Sequence, residues 1–133
     1  MPIGESRETS MDIFLVEDDK SVQSLLVEAL ESADFTVACA SNGDEAATAL
    51  MRLDSQPRLL LTDIDLGSGI NGLTLGARAR GRRPSMPVIY ISGRPLNVAT
   101  AGGSRMLHAF EERFLQKPFP LERLLCTVAL LIN

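Results

Sequence analysis

Residues 58–63, Arg58-Leu59-Leu60-Leu61-Thr62-Asp63, decide how this chain is read. Consecutive rather than alternating apolar residues suit a central strand buried on both faces, the habit of parallel sheets covered by helices. The run closes on Asp63, an acidic residue at the carboxyl end of that strand. Upstream, Ile13-Phe14-Leu15-Val16 has the same character and leads into Glu17-Asp18-Asp19. Downstream, residues 87–92 form another apolar run, rich in branched and aromatic residues and ending at Ser92. Residues 35–40 and Phe114-Leu115-Gln116 supply two shorter strands, the second followed by Lys117-Pro118.

Helical spacing occupies the segments between. Val22, Leu25, Leu26, Ala29 and Leu30 form an apolar stripe over the first. Asn42 is placed to cap a second helix, with Glu45 completing a capping box and Ala46, Ala49, Leu50 and Leu53 facing the core. A third helix is expected from about Gly72 to Gly81, with Leu73, Leu75 and Ala79 as core contacts. Gly102-Gly103 interrupts any helix in residues 96–110. Pro120 fits the first turn of a last helix carrying Leu121, Leu124, Leu125, Val128 and Ile132. Strand and helix signals therefore alternate five times, which predicts an α/β fold: a doubly wound, five-stranded parallel sheet joined by right-handed crossovers. In such folds the ligand site lies beyond the carboxyl ends of the strands.

Composition narrows the function classes. At 133 residues the chain holds one ordinary domain, and 45% apolar with 23% charged residues is globular rather than disordered. A net charge of -4 gives no broad basic footprint for nucleic acid. Arg78, Arg80, Arg82 and Arg83 form a local basic run, read as a solvated helix end and loop, with a docking patch for an acidic partner as the alternative. Cys39 and Cys126 lack metal-ligand spacing and are expected as buried thiols, one in a strand and one in an apolar helix. Residues 1–11 read as a polar leader, without a signal peptide or a membrane span anywhere in the sequence. The expected location is a reducing cytoplasm.

Glu17-Asp18, Asp63, Ser92 and Lys117 all fall at predicted strand ends, so one sheet edge gathers carboxylates, a hydroxyl and an ammonium. Carboxylates held together favour a cation, and oxygen donors without histidine or cysteine suit magnesium, with manganese as a second choice. Asp18 is the expected main ligand, Glu17 acts directly or through water, and Asp65 contributes its backbone carbonyl. Asp63 offers one oxygen to the metal and the other as nucleophile toward a phosphoryl donor, giving an acyl phosphate. Lys117 and Ser92 stabilise the transferred phosphoryl oxygens. His108, the only histidine, is assigned a surface or packing role, and Tyr90 a packed one. The glycines after Asp65 do not form a phosphate-binding P-loop, because the lysine-serine or lysine-threonine ending is missing.

Leu15-Val16-Glu17-Asp18-Asp19, Leu61-Thr62-Asp63-Ile64-Asp65-Leu66, Val88-Ile89-Tyr90-Ile91-Ser92-Gly93 and Phe114-Leu115-Gln116-Lys117-Pro118-Phe119, in that order, resemble the receiver domain of bacterial two-component response regulators of the chemotaxis-regulator-like kind. The resemblance covers nearly the whole sequence, with a receiver over residues 12–133. It implies a flavodoxin-like (βα)5 fold with strand order 2-1-3-4-5. It also implies Asp63 as phosphoacceptor, Glu17-Asp18 as its acidic pair, and Ser92 and Phe114 as the switch. Phosphate would come from a histidine kinase or histidine phosphotransfer protein and alter a surface around the fourth helix, fifth strand and fifth helix. An unknown downstream protein would read that surface, and a homodimer is a further mode the family admits. Such a domain catalyses its own phosphorylation and autodephosphorylation without being a turnover enzyme. Gly67 stands where many receivers have proline, which implies a more mobile loop, and Ser92 stands for the commoner threonine. The expected form is a full-length single-domain regulator, with an excised receiver as the alternative. Two other functions stay open: a phosphorylation-independent interaction module, and a phosphohydrolase resembling the haloacid dehalogenases through Asp63-Ile64-Asp65.

Overall fold

A computed structural model of the protein describes residues 11–52, 57–93 and 112–132. Chain order gives β1 (Ile13–Val16), α1 (Lys20–Ser32), β2 (Val37–Ala40), α2 (Gly43–Arg52), β3 (Leu59–Asp63), α3 (Gly72–Arg82), β4 (Val88–Ser92), β5 (Glu112–Gln116) and α4 (Leu121–Ile132). Here α4 is the last helix expected from the sequence. His108, Gly102-Gly103 and Leu53 lie outside the described residues, as does the leader up to residue 10.

The five strands form one parallel sheet, as their alternation with helices predicts, in the order β2-β1-β3-β4-β5 that the receiver resemblance implies. Side chains alternate between its faces. Phe14, Val16, Leu60, Val88 and Tyr90 pack with Ala46, Ala47 and Leu50 of α2 and Leu75 and Ala79 of α3. Ile13, Leu15, Leu59, Leu61, Ile89 and Ile91 pack with Leu26 and Leu30 of α1 and Leu124 and Val128 of α4. Each apolar run therefore serves two cores, which explains why the central strands show no polar alternation. Tyr90 is fully buried, as expected of a packed residue.

Several boundaries and faces differ from the sequence reading. The second strand is confined to Val37–Ala40, with Phe35 and Thr36 leading into it. The fifth strand is longer than expected, beginning at Glu112. Leu25 is 51% exposed, because the buried face of α1 is centred on Leu26 and Leu30, one helical step away, and Gln23 is buried instead. Asn42 does cap α2, accepting from the Glu45 N–H at 2.7 Å. Glu45 reaches the Ser41 N–H at 2.9 Å, one residue upstream of the expected capping-box donor.

Both cysteines are exposed rather than buried. Cys126 lies two residues from Leu124, on the opposite side of α4. Cys39 is on the edge strand β2, beside an open groove lined by Gln23, Val27 and Glu28 of α1.

Candidate functional site

Strand register turns distant residues into neighbours. Val16 pairs with Thr62, Asp63 with Ile91, and Ser92 with Gln116. One step beyond the Val16–Thr62 pair, Glu17 meets Asp63, and Lys117 follows directly from β5. Hydrogen bonds continue the ladder past the strand ends: the Glu17 N–H donates to the Ala40 carbonyl at 3.2 Å, the Ile64 N–H to the Ile91 carbonyl at 2.8 Å and the Lys117 N–H to the Ser92 carbonyl at 2.8 Å. The site's backbone is thus an extension of the sheet. A cis peptide joins Lys117 to Pro118.

The Lys117 ammonium donates to Asp63 Oδ2 at 3.0 Å and to Glu17 Oε1 at 3.2 Å. The other oxygen of each carboxylate accepts a backbone N–H: Asp65 donates to Asp63 Oδ1 at 3.1 Å, and Asp19 to Glu17 Oε2 at 3.1 Å. Both carboxylates are therefore held in fixed orientations. Glu17 is 0% exposed and Asp63 4%, whereas Asp18 faces solvent. Oxygens of Glu17, Asp18 and Asp63 all lie within 4.8 Å of one another. Three hard anionic donors, two of them buried and oriented, fit a hydrated divalent cation.

Asp19 separates from this acidic pair. Its carboxylate accepts the Ser21 and Val22 N–H groups at 2.9 and 3.1 Å, so it is the N-cap of α1. Ser92 is 1% exposed at the end of β4, and Phe114, paired with Tyr90, is half-buried against the core under α2 and α3. Asp65 is exposed. The structure thus joins Glu17, Asp18, Asp63 and Lys117 by direct geometry and places Asp65 and Ser92 next to them, with Phe114 lower on β5 in the apolar core. In the arginine run, Arg80 donates to the Met86 carbonyl and Arg83 to the Pro57 carbonyl, both at 2.8 Å, so those two secure loops below the sheet.

Burial pushes the Glu17 carboxyl above its ordinary value, and the negative Asp63 adds to this; together they outweigh the Asp19 N–H and the Lys117 ammonium. A raised carboxyl favours the protonated fold. The stability it contributes is fully present below the ordinary value of 4.5 and is lost as pH rises through the raised value. In chelator, Glu17→Gln should therefore melt higher than the parent at neutral pH, with the difference closing on acidification to about pH 4.5. Thermal melts across that range check it; a parent and variant that melt in parallel would contradict the assignment.

For Lys117, burial alone would lower the pKa, but the hydrogen bonds and charges of Asp63 and Glu17 outweigh it and hold the ammonium above 10.5. Its stabilising contribution is present at neutral pH and lost only as pH rises through that raised value.

Sequence reasoning missed two supports, Gln23 and the close packing of Gly72. Gln23, buried in the first turn of α1, donates its side-chain amide to the Glu17 carbonyl at 3.1 Å and the Ala40 carbonyl at 3.2 Å. Gly72, at the start of α3, sits so close to the Asp63 carbonyl and the Ile64 Cα that a Cβ there would overlap backbone atoms. Gly67 has φ +74, which proline cannot adopt, so the loop after β3 takes a path closed to that residue. A buried glutamine has no distinctive sequence signal, and Gly72 reads from sequence only as the start of a helix.

Gly72→Ala should destabilise the protein by about 1–3 kcal/mol, since backbone cannot move aside as a flexible side chain can. Urea denaturation measures this; an unchanged midpoint would show that α3 shifts freely from β3.

Comparison with known proteins gives the same picture. The family model for the response regulator receiver domain matches residues 13–129. The DNA-binding transcriptional regulator NtrC of Salmonella typhimurium is 31% identical over 116 residues, covering 87% of this chain and 24% of the regulator. The chain thus spans about a quarter of that relative's length. A response regulator receiver protein of Sinorhizobium medicae superposes with TM-score 0.81 at 27% identity, covering 93% of this chain and 95% of its own. The receiver domain of the hybrid histidine kinase CckA gives TM-score 0.74 at 28% identity, covering 92% and 99%. Among the described residues, no helix is long and apolar enough to cross a membrane.

Proposed function

The chain belongs to the response regulator receiver domain family, and from that premise we propose that Asp63 accepts a phosphoryl group and that its modification switches a partner-binding surface. The observation that carries this reading is the Lys117 ammonium bound to Asp63 and Glu17 beside the exposed Asp18. The donor is a histidine kinase or a histidine phosphotransfer protein; likeness to a receiver within a hybrid histidine kinase supports that class.

Asp18, Asp63 and the Asp65 backbone carbonyl would hold magnesium, or manganese in its place, with Glu17 acting directly or through water. When bound, the cation neutralises charge on the phosphoryl oxygens. An Asp63 oxygen attacks phosphorus as the bond to the donor imidazole nitrogen breaks, and that nitrogen keeps the electron pair. Asp63 becomes an acyl phosphate. Lys117 exchanges part of its contact with the carboxylates for a phosphoryl oxygen, and the Ser92 hydroxyl donates a hydrogen bond to another. As Ser92 moves, Phe114 occupies the space beside β4, and the population shifts toward a surface that a downstream protein or a second receiver reads.

Residues 12–133 act as the receiver, and residues 1–11 as its leader. The domain promotes its own phosphorylation and the hydrolysis of the acyl phosphate at Asp63.

The test is incubation with magnesium and a small-molecule phosphodonor, or a panel of phosphorylated histidine kinases, followed by intact mass and acyl-phosphate lability. One added phosphoryl group at Asp63 is expected. Absence of modification by every donor in a folded sample would overturn the reading. Turnover of phosphate monoesters would point to a phosphohydrolase, and equal partner capture by both forms to a phosphorylation-independent module.

A further inference from the structure

Gln23 holds a stretch of the site that the sheet itself does not. Strand β1 ends at Val16, so the Glu17 carbonyl lies beyond the ladder. It is nevertheless buried with its residue, and a buried carbonyl needs a donor. The Gln23 side-chain amide supplies one at 3.1 Å and uses its second N–H on the Ala40 carbonyl at 3.2 Å. That same Ala40 carbonyl accepts the Glu17 backbone N–H. Two carbonyl acceptors select the nitrogen end of the side chain, so its orientation follows from the contacts. The Gln23 backbone N–H is bonded to the Asp19 carbonyl at 2.8 Å, fixing where the side chain starts.

From this geometry we infer that Gln23 is a positioning residue for the acidic pair: by clamping the Glu17 carbonyl to the end of β2, it sets the peptide plane between Glu17 and Asp18 and so aims the Asp18 carboxylate at Asp63. The inference rests on the proposed cation site and deepens it. The clamp acts through backbone alone and leaves every metal-binding oxygen available. Without it the Glu17 carbonyl is buried without its side-chain donor, and the peptide rotates toward water to recover one. Rotation there carries the exposed Asp18 with it, because Asp18 has no strand to hold it. The Glu17 carboxylate would loosen less, being tied to Lys117 and to the Asp19 N–H.

Gln23→Met keeps length and volume but removes both donors. Magnesium alone, titrated into the full chain by calorimetry or by amide shifts, is expected to bind roughly 10-fold more weakly than to the parent. Phosphorylation of Asp63 should show the same shift in magnesium half-saturation and recover at saturating magnesium. Leu30→Ala, a core truncation at the far end of α1, separates positioning from stability: it should lower the melting temperature and leave magnesium affinity unchanged.

A folded Gln23→Met protein with parental magnesium affinity overturns the role of Gln23 while leaving the site intact. A parent that binds no magnesium overturns the site and the inference together. If Gln23→Met does not fold, the parent decides: the Gln23 side-chain amide resonances must shift on magnesium addition with the same midpoint as the Asp18 and Asp19 amides, and their failure to shift overturns the proposal.

Discussion

Asp63→Asn is expected to abolish phosphoryl incorporation, with no modified species detected by intact mass under conditions that saturate the parent. The amide is nearly isosteric and keeps an oxygen toward the Asp65 N–H, so the fold should persist. It removes the nucleophile and one negative charge from a buried cluster. Chemistry is lost because an amide oxygen is a far poorer nucleophile toward phosphorus than a carboxylate. Stability in chelator should change far less, because two contributions oppose each other. Relieving Glu17 of the negative Asp63 favours the variant, whereas an amide oxygen turned to the Asp65 N–H leaves the amide NH2 facing the Lys117 ammonium, so the melting temperature should stay close to that of the parent. A variant still phosphorylated at parental rate would move the acceptor to another residue, while an unfolded variant would show that the Asp63 charge is needed to hold Lys117.

Lys117→Met is expected to carry the second largest effect. Removing the ammonium leaves Glu17 and Asp63 buried side by side, each still accepting a backbone N–H but without the cation that bridges them. Breaking a fully buried ion pair costs about 3–5 kcal/mol; Lys117 keeps 28% of its side chain exposed, so a loss at or below the lower end of that range is expected. The loss should depend on pH and on metal. Acidification protonates Glu17, whose pKa is already raised, and should narrow the gap to the parent. Magnesium should stabilise the variant more than it stabilises the parent, since a divalent cation takes over the neutralisation that Lys117 provides. Phosphorylation should be strongly reduced without being eliminated, because Asp63 keeps its nucleophilic oxygen. The modified variant should fail to change partner binding. Denaturation with and without magnesium, alongside phosphotransfer assays, checks each part; a variant with parental stability in chelator would show that Lys117 is held only weakly.

Much of the site was legible because parallel sheets place function at strand ends. Glu17, Asp63, Ser92 and Lys117 each follow an apolar run, and the register brings those run ends to the same edge, with Ser92 one residue and Lys117 two residues beyond the level of Asp63. Leu25 and the cysteines lie away from where the pattern predicts for a different reason. Periodicity marks which residues are apolar, but the centre of a buried face depends on what packs there. On α1 that centre is Leu26 and Leu30, leaving Leu25 outside. On α4 the centre is Leu124 and Val128, leaving Cys126 outside, and β2 lies at an edge where α1 covers Cys39 incompletely.

The acidic triplet shows the division of labour most directly. Sequence alone determined that Glu17-Asp18-Asp19 ends a buried strand and opens a helix, and hence that carboxylates gather at that edge, because hydrophobic pattern fixes which segments are strands and which way they run. Only the tertiary structure decided what each carboxylate does. Asp19 turns back to cap α1, Glu17 is drawn inward by Lys117 from the end of a strand, 100 residues away, and Asp18 is left facing solvent with its carboxylate near Asp63. Those assignments depend on hydrogen bonds between elements that are distant in the chain, Gln23 among them, and such bonds leave no periodicity in the sequence to be read.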